Sequence, residues 1–326
     1  MRQKLIWSLV PLSIATNLMA APTAATAPVP ITTVAAQPGF DAAAAAYAAG
    51  RMDEARKLAI AAAAKGEVNA QTMLGYLFSQ GIGGPVDENA AARWYGAAAR
   101  TGEKDAYFGL GMMAMNNRGG LKLEHAAGYL RQAARRNHAE AARRLAELYY
   151  VGKGVPQDSK QMVAWLEKAA SLNDIPAAYA AGIFLSDGDA GVKADVIKAR
   201  KYLAQAANAG MPDAMADYGL FLYQGRAGAA DKNAAAQWFA KAAQKGAPTG
   251  MFLYAYALSK GEGVTRNLNE AYKWLVRAEA TNDPDDAKDR ATLRSILEAA
   301  IPAAQRTALE AAARQAPTPG AGATTR

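Results

Sequence analysis

The chain has 326 residues, 51% hydrophobic and 20% charged, with a formal charge of +8 and no cysteine. That much apolar material can bury a core, which excludes a disordered chain. The missing cysteine excludes disulfides, thiolate metal sites and a lipid-bearing cysteine within this sequence.

The chain opens on Arg2 and Lys4, followed by an apolar stretch from Leu5 to about Ala15 and small residues at Ala20 and Ala21 before Pro22. This is the layout of a secretory signal peptide, assigned to residues 1–21, with a second small-residue site at Ala25-Thr26-Ala27. A membrane anchor needs roughly 20 uninterrupted apolar residues. Here Ser8, Pro11, Ser13, Thr16 and Asn17 interrupt the run, and no other stretch is a candidate. The expectation is a periplasmic or secreted protein with no integral membrane segment once the signal is removed. Residues 22–39 are rich in Pro, Ala and Thr and read as a linker; the tail, 316–326, is of the same kind. Residues 40–66 form a lead-in helix pair, with Tyr47-Ala-Ala-Gly50 and Met52-Asp-Glu-Ala55 flanking a short loop.

Between 67 and 281 the chain repeats. Trp94, Tyr129, Trp165, Tyr202, Trp238 and Trp274 recur at intervals of 35 to 37 residues, each followed by an apolar residue. Ala70, Ala106, Ala141, Ala177, Ala214 and Gly250 keep the same beat, each four residues before a large-then-small step such as Leu74-Gly75 or Tyr218-Gly219. Each unit reads as helix, Gly-containing loop, helix. An acid or amide stands seven residues before the aromatic in five units, at Asp87, Asp158, Asp195, Asp231 and Asn267. Such residues before an apolar periodic run predict N-caps, worth about 1 kcal/mol each. The second unit has Lys122 there instead, so its second helix is expected to start differently. Two further helices, 285–299 and 302–315, are predicted to cap the end within residues 282–315, the last with Pro302 at its first position.

The clearest unit reads Ala141…Leu145-Ala146…Tyr149…Gly152-Lys-Gly154-Val155-Pro-Gln-Asp158…Trp165-Leu-Glu-Lys-Ala-Ala170, and Gly261-Glu-Gly263-Val264…Asn267…Lys273-Trp274 is close to it. This pattern resembles the Sel1-like repeats, relatives of tetratricopeptide repeats with a slightly longer unit. The resemblance covers roughly 67–281. It implies an all-α, right-handed superhelical solenoid of antiparallel helix pairs, and an adaptor role in bacterial envelopes, host interaction or signalling. Some exported relatives are disulfide-stapled, which this chain cannot be.

Catalytic signals are weak. His125 and His138 sit thirteen residues apart and read as partly exposed surface residues. Gly109-Leu110-Gly111 matches a dinucleotide fingerprint by letter but lies inside a helix, without the strand-to-helix turn that chemistry needs. Asp187-Gly188-Asp189 with Asp195 departs from a Ca²⁺-loop pattern, and Asp285-Asp286 reads as a helix start. Arg135, Arg136, Arg143 and Arg144 form the nearest thing to a basic patch, without the stripe a nucleic-acid interface requires. No enzyme activity, cofactor, metal or nucleic-acid partner is expected.

What remains is a concave groove lined by the first helix of each unit. Its candidate partner-binding residues are Tyr76, Phe108, Met112, Arg143, Glu147, Tyr150, Tyr179, Ile183, Leu220, Tyr223, Phe252 and Tyr256. Thr72, Ser79, Met115, Ser186, Ala216 and Ser259 fall at equivalent positions and are also expected to face the groove. Tyr and Met suit adaptable protein recognition. The expected function is an envelope scaffold, acting as a monomer, that takes a partner's peptide segment or helix. A cell-wall- or β-lactam-directed hydrolase or binder and a secreted host-interaction factor are the alternatives.

Overall fold

A computed structural model of the protein describes residues 38–188, 191–281 and 286–315. The signal peptide, most of the linker, the tail, Asp189 and Asp285 lie outside these residues. The described residues are helical throughout, without a strand among them, and form two compact units. One comprises 38–177 with 191–192; the other comprises 178–188, 193–281 and 286–315.

The lead-in pair is α1 (Pro38–Ala48) and α2 (Met52–Ala64). The first of these begins inside the stretch expected to be linker. Pro38 leaves its missing N–H at a helix start, and the Phe40 amide donates to Glu67 Oε2 at 2.7 Å. Then come α3 (Val68–Gln80), α4 (Glu88–Ala99), α5 (Lys104–Met115), α6 (Leu123–Arg135), α7 (Ala139–Val151), α8 (Ser159–Ser171) and α9 (Ile175–Asp187). The second unit continues with α10 (Val196–Asn208), α11 (Pro212–Gln224), α12 (Lys232–Gln244), α13 (Pro248–Lys260) and α14 (Leu268–Glu279). Two capping helices follow, α15 (Ala287–Ala300) and α16 (Ala303–Gln315).

All five predicted N-caps are in place. Side chains of Asp87, Asp158, Asp195, Asp231 and Asn267 each accept from a backbone N–H of the helix they start, at 2.8–3.1 Å. Each cap residue also donates its own N–H back to a carbonyl of the preceding helix: Phe78, Tyr149, Leu185, Leu222 and Leu258, at 2.8–3.0 Å. One residue thus starts the second helix and clips it to the first. Where Lys122 replaces the acid, His125 Nδ1 accepts from the Lys122 N–H at 3.3 Å, and Asn117 Oδ1 accepts from the Leu123 N–H at 3.1 Å.

The aromatic landmarks mark the edge of the core rather than its centre. Trp94, Tyr129, Trp165, Trp238 and Trp274 are half-buried, whereas Leu130, Leu166 and Leu275 one residue on are sealed from solvent. The large-then-small step makes room for that next residue. A Cβ at Gly75 would lie 2.5 Å from the Tyr95 ring, and one at Gly219 would lie 2.7 Å from the Phe239 ring. The two landmarks therefore keep phase because one is the socket of the other's neighbour.

Candidate functional site

In the first unit the groove positions are largely consumed by packing. Arg143 on α7 is buried, and its guanidinium reaches Asp174 at 3.1 Å, Glu147 at 3.0 Å and Glu140 at 3.5 Å. Arg144 holds Glu147 at 3.1 Å and Glu140 at 3.3 Å. Asp174 in turn accepts from the Ala177 N–H at 2.9 Å. The four arginines do not form one surface: Arg143 and Arg144 neutralise acids, while Arg135 and Arg136 stay exposed. Arg143, one of the candidate partner-binding residues, ties α7 to the turn before α9 through Asp174, and Glu147 backs its guanidinium from the same helix. Phe108 stacks on the His138 ring at 4.3 Å, and Tyr76, Met112 and Tyr150 are half-buried.

Thr72, Ser79, Ser186, Ala216 and Ser259, expected to face the groove, are buried. Within each unit first helices of neighbouring repeats touch, α3 with α5 and α11 with α13. The hydroxyls turn inward to their own helix: Ser79 donates to the Tyr76 carbonyl at 2.8 Å and Ser259 to the Tyr256 carbonyl at 2.7 Å.

The second unit behaves differently. Leu220 and Tyr223 on α11 and Phe252 and Tyr256 on α13, all four candidates, line one pocket. Phe239, Leu253 and the capping helix α15 complete it through Asp289, Thr292, Leu293 and Ile296. Phe252 is 4% exposed and belongs to the floor, against the expectation of an open position, because α15 lies over it. Ile296 remains 47% exposed at the rim. The Tyr223 hydroxyl donates to Glu262, which Lys232 also holds at 3.1 Å. Burial, then the Glu262 bond, pushes the Tyr223 hydroxyl's pKa up, so the hydroxyl keeps its proton and stays a donor.

Tyr179 and Ile183 on α9 do not line this pocket. The Tyr179 hydroxyl donates to Asp217 at 2.7 Å. Burial raises the Asp217 carboxyl to about 6, helped by the negative Asp213 and Asp286 and opposed by the Tyr179 bond.

The contribution of α15 was not foreseen. Its signal was present as Leu293, Ile296 and Leu297, an i, i+3, i+4 apolar face. Asp286 stands at the helix start as expected, as the N-cap residue of α15, and its almost fully buried side chain pairs with Arg290 at 3.7 Å.

His138 corrects the surface reading. Its Nδ1 accepts from the Ala141 N–H at 3.1 Å as the cap of α7, and its Nε2 faces Asp105 Oδ1 at 3.4 Å. Burial, then Lys104, lowers the imidazole to about 4, while burial, then Glu103, raises Asp105 to about 6. His125 is exposed. Gly109 and Gly111 lie inside α5, where a Cβ would strike Tyr95 at 2.5 Å and Leu130 at 2.7 Å; they serve packing, not phosphate binding. Asp187 takes Arg226 at 2.7 Å, and Asp195 is a cap. Among the described residues no group of three His, Asp or Glu could hold a metal, and no helix is long and apolar enough to cross a membrane.

Consecutive, equally phased helix pairs define a tandem helical-repeat protein. A family model described as Sel1 repeat matches residues 68–102, 104–138, 139–174, 175–211, 212–246 and 248–280. The chain belongs to the Sel1 repeat family, whose members are generally protein–protein interaction scaffolds and typically not enzymes. Among solved structures it is similar to a Sel1 repeat protein from Oxalobacter formigenes, at 26% identity and a TM-score of 0.55, over 74% of this chain and 97% of that one. It also matches a protective antigen of SLR fold present in uropathogenic Escherichia coli strains, at 22% identity and a TM-score of 0.45, over 82% of this chain and 73% of that one. Among curated proteins, none matches the chain.

Proposed function

We propose that the protein is a scaffold of the bacterial cell envelope that holds a segment of a partner protein in the pocket of its second unit. The pocket carries the reading. Four groove residues converge there with α15, and Ile296 leaves a large apolar side chain half in water. A half-exposed isoleucine at the rim of an aromatic pocket gains from being covered, by about 25 cal/mol per Å² of apolar surface buried. Export rests on the N-terminal sequence: Arg2 and Lys4, the apolar Leu5–Ala15 run and small residues before Pro22.

The test combines fractionation with co-purification of the full-length protein from envelope extracts. The protein should fractionate with the envelope, and Tyr256→Ala should lose a partner that Tyr150→Ala retains, both variants staying helical. A partner retained by Tyr256→Ala would move the site away from this pocket.

A further inference from the structure

In the pocket the Tyr223 phenol is held through a loop contact that other repeats make with different chemistry. We propose that Glu262, backed by Lys232, is a positioning residue that ties up the Tyr223 hydroxyl and so restricts the pocket to a hydrocarbon side chain of the partner. This deepens the partner-binding reading above and rests on it.

The residue just past the exit of the first helix is Ile82, Arg118, Lys153 or Arg226 in other repeats. The arginines reach back to a main-chain carbonyl of the preceding first helix: Arg118 donates to the Ser79 carbonyl at 2.7 Å, and Arg226 to that of Ser186. Glu262 stands at the same place as an acid. It accepts instead from the side chain of Tyr223, the counterpart of Ser79 and Ser186. The next residue fixes where it stands. Gly263 has a φ of 72°, and a Cβ there would lie 1.8 Å from the Lys232 carbonyl oxygen, so the loop is pressed onto the start of α12. Lys232 Nζ then holds Glu262 Oε1 at 3.1 Å and stands 5.3 Å from the centroid of the Tyr223 ring.

A phenol has one proton, and here Glu262 takes it. The Tyr256 hydroxyl is hydrogen-bonded to the same phenol and therefore donates to the Tyr223 oxygen. The chain of donors runs from Tyr256 through Tyr223 to Glu262, which does not line the pocket. The other polar side chains of the lining are engaged too: Thr292 donates to the Lys288 carbonyl at 2.9 Å, and the buried Asp289 is not free. Among the described residues lining the pocket, no side-chain hydroxyl is left to donate to an occupant. A carbonyl or carboxylate carried in would give up water and find no donor, whereas an aliphatic group has no such loss.

The sequence has no cysteine, so Ile296→Cys at the rim of the full chain gives a single thiol for tethering small probes as mixed disulfides. One probe ends in an isobutyl group and the other in an acetamide of the same shape; intact mass reads the reductant needed to release half of each. The isobutyl probe should need about tenfold more reductant than the acetamide probe. Ile197→Cys on α10, where the native side chain is 74% exposed, should show no preference. Glu262→Ala, and Glu262→Arg with the residue found at Arg226, free the Tyr223 hydroxyl and should cut the preference by tightening the acetamide probe. Glu262→Gln keeps an acceptor for the phenol and should retain it. In a Tyr223→Phe background Glu262→Ala should change nothing, since no hydroxyl is released. A preference unchanged by both Glu262→Ala and Glu262→Arg, or lost equally in the Tyr223→Phe background, overturns the positioning role and leaves the pocket as a docking site. An isobutyl probe held no better at position 296 than at 197 brings down the docking reading and this inference together.

Discussion

The two units use the same repeat to opposite ends on equivalent helix faces. In the first, Arg143 and Glu147 stand at groove positions and are satisfied internally, by Asp174, Glu140 and Arg144. In the second, the equivalent positions are Leu220, Tyr223, Phe252 and Tyr256, and they open into a pocket. A repeat fold fixes where a side chain points; the residue placed there decides whether the position locks neighbouring helices or receives a ligand. Charged groups that neutralise one another across 31 residues stiffen a solenoid, whereas an uncharged aromatic face leaves its contacts unspent.

The largest effect expected from this contrast is Arg143→Met. It leaves Glu147 with Arg144 alone and Asp174 with only the Ala177 N–H in a nearly dry site, which costs roughly 3 kcal/mol. Urea unfolding should show that loss in the first unit, while peptide binding in the second is unchanged. A loss below about 1 kcal/mol would show the network to be surface-like.

Asp217 gives a pH-dependent contrast. Its folded pKa, about 6, lies above the ordinary value, so the folded state holds the proton more tightly. Its stabilising contribution is present at low pH and is lost as pH rises from about 4 to 6. Asp217→Asn keeps an acceptor for Tyr179 and removes the ionisation. The variant should gain on wild type by up to about 3 kcal/mol between pH 4 and pH 7. In the first unit Asp105 has the same sign, but His138, lowered to about 4, gains stability with pH over the same window. The two oppose each other, so Asp105→Asn with His138→Gln should leave the profile nearly unchanged, whereas either substitution alone should tilt it. Thermal melts across the range read both.

Smaller still, Asp231→Ala removes one N-cap and should cost about 1 kcal/mol. Asp87→Ala should cost the same, since each cap accepts a similar hydrogen bond from its helix.

Much of this architecture was legible because helical repeats write their contacts locally. Aspartates seven residues before the aromatic became caps, and the Leu74-Gly75 and Tyr218-Gly219 steps became sockets for Tyr95 and Phe239. The site was legible only in part. Leu220, Tyr223 and Tyr256 were placed by counting along the first helix. The same count put Thr72 and Ser259 in the groove, whereas both are buried. Burial depends on how far each helix is rotated about its axis, which spacing alone does not encode. Arg143's partner Asp174 and α15's place over Phe252 are tertiary facts, set by stacking rather than by period. His138 was mistaken for a surface residue because a histidine cap is written the same way as an exposed histidine.

The most direct measurement places a photo-crosslinking amino acid at position 296 and, separately, at position 150 of the full-length protein, and identifies the adducts formed in cells. The account predicts a discrete adduct with one protein from position 296 and none from position 150. An adduct from position 150 and none from position 296 would contradict it and move partner binding to the first unit.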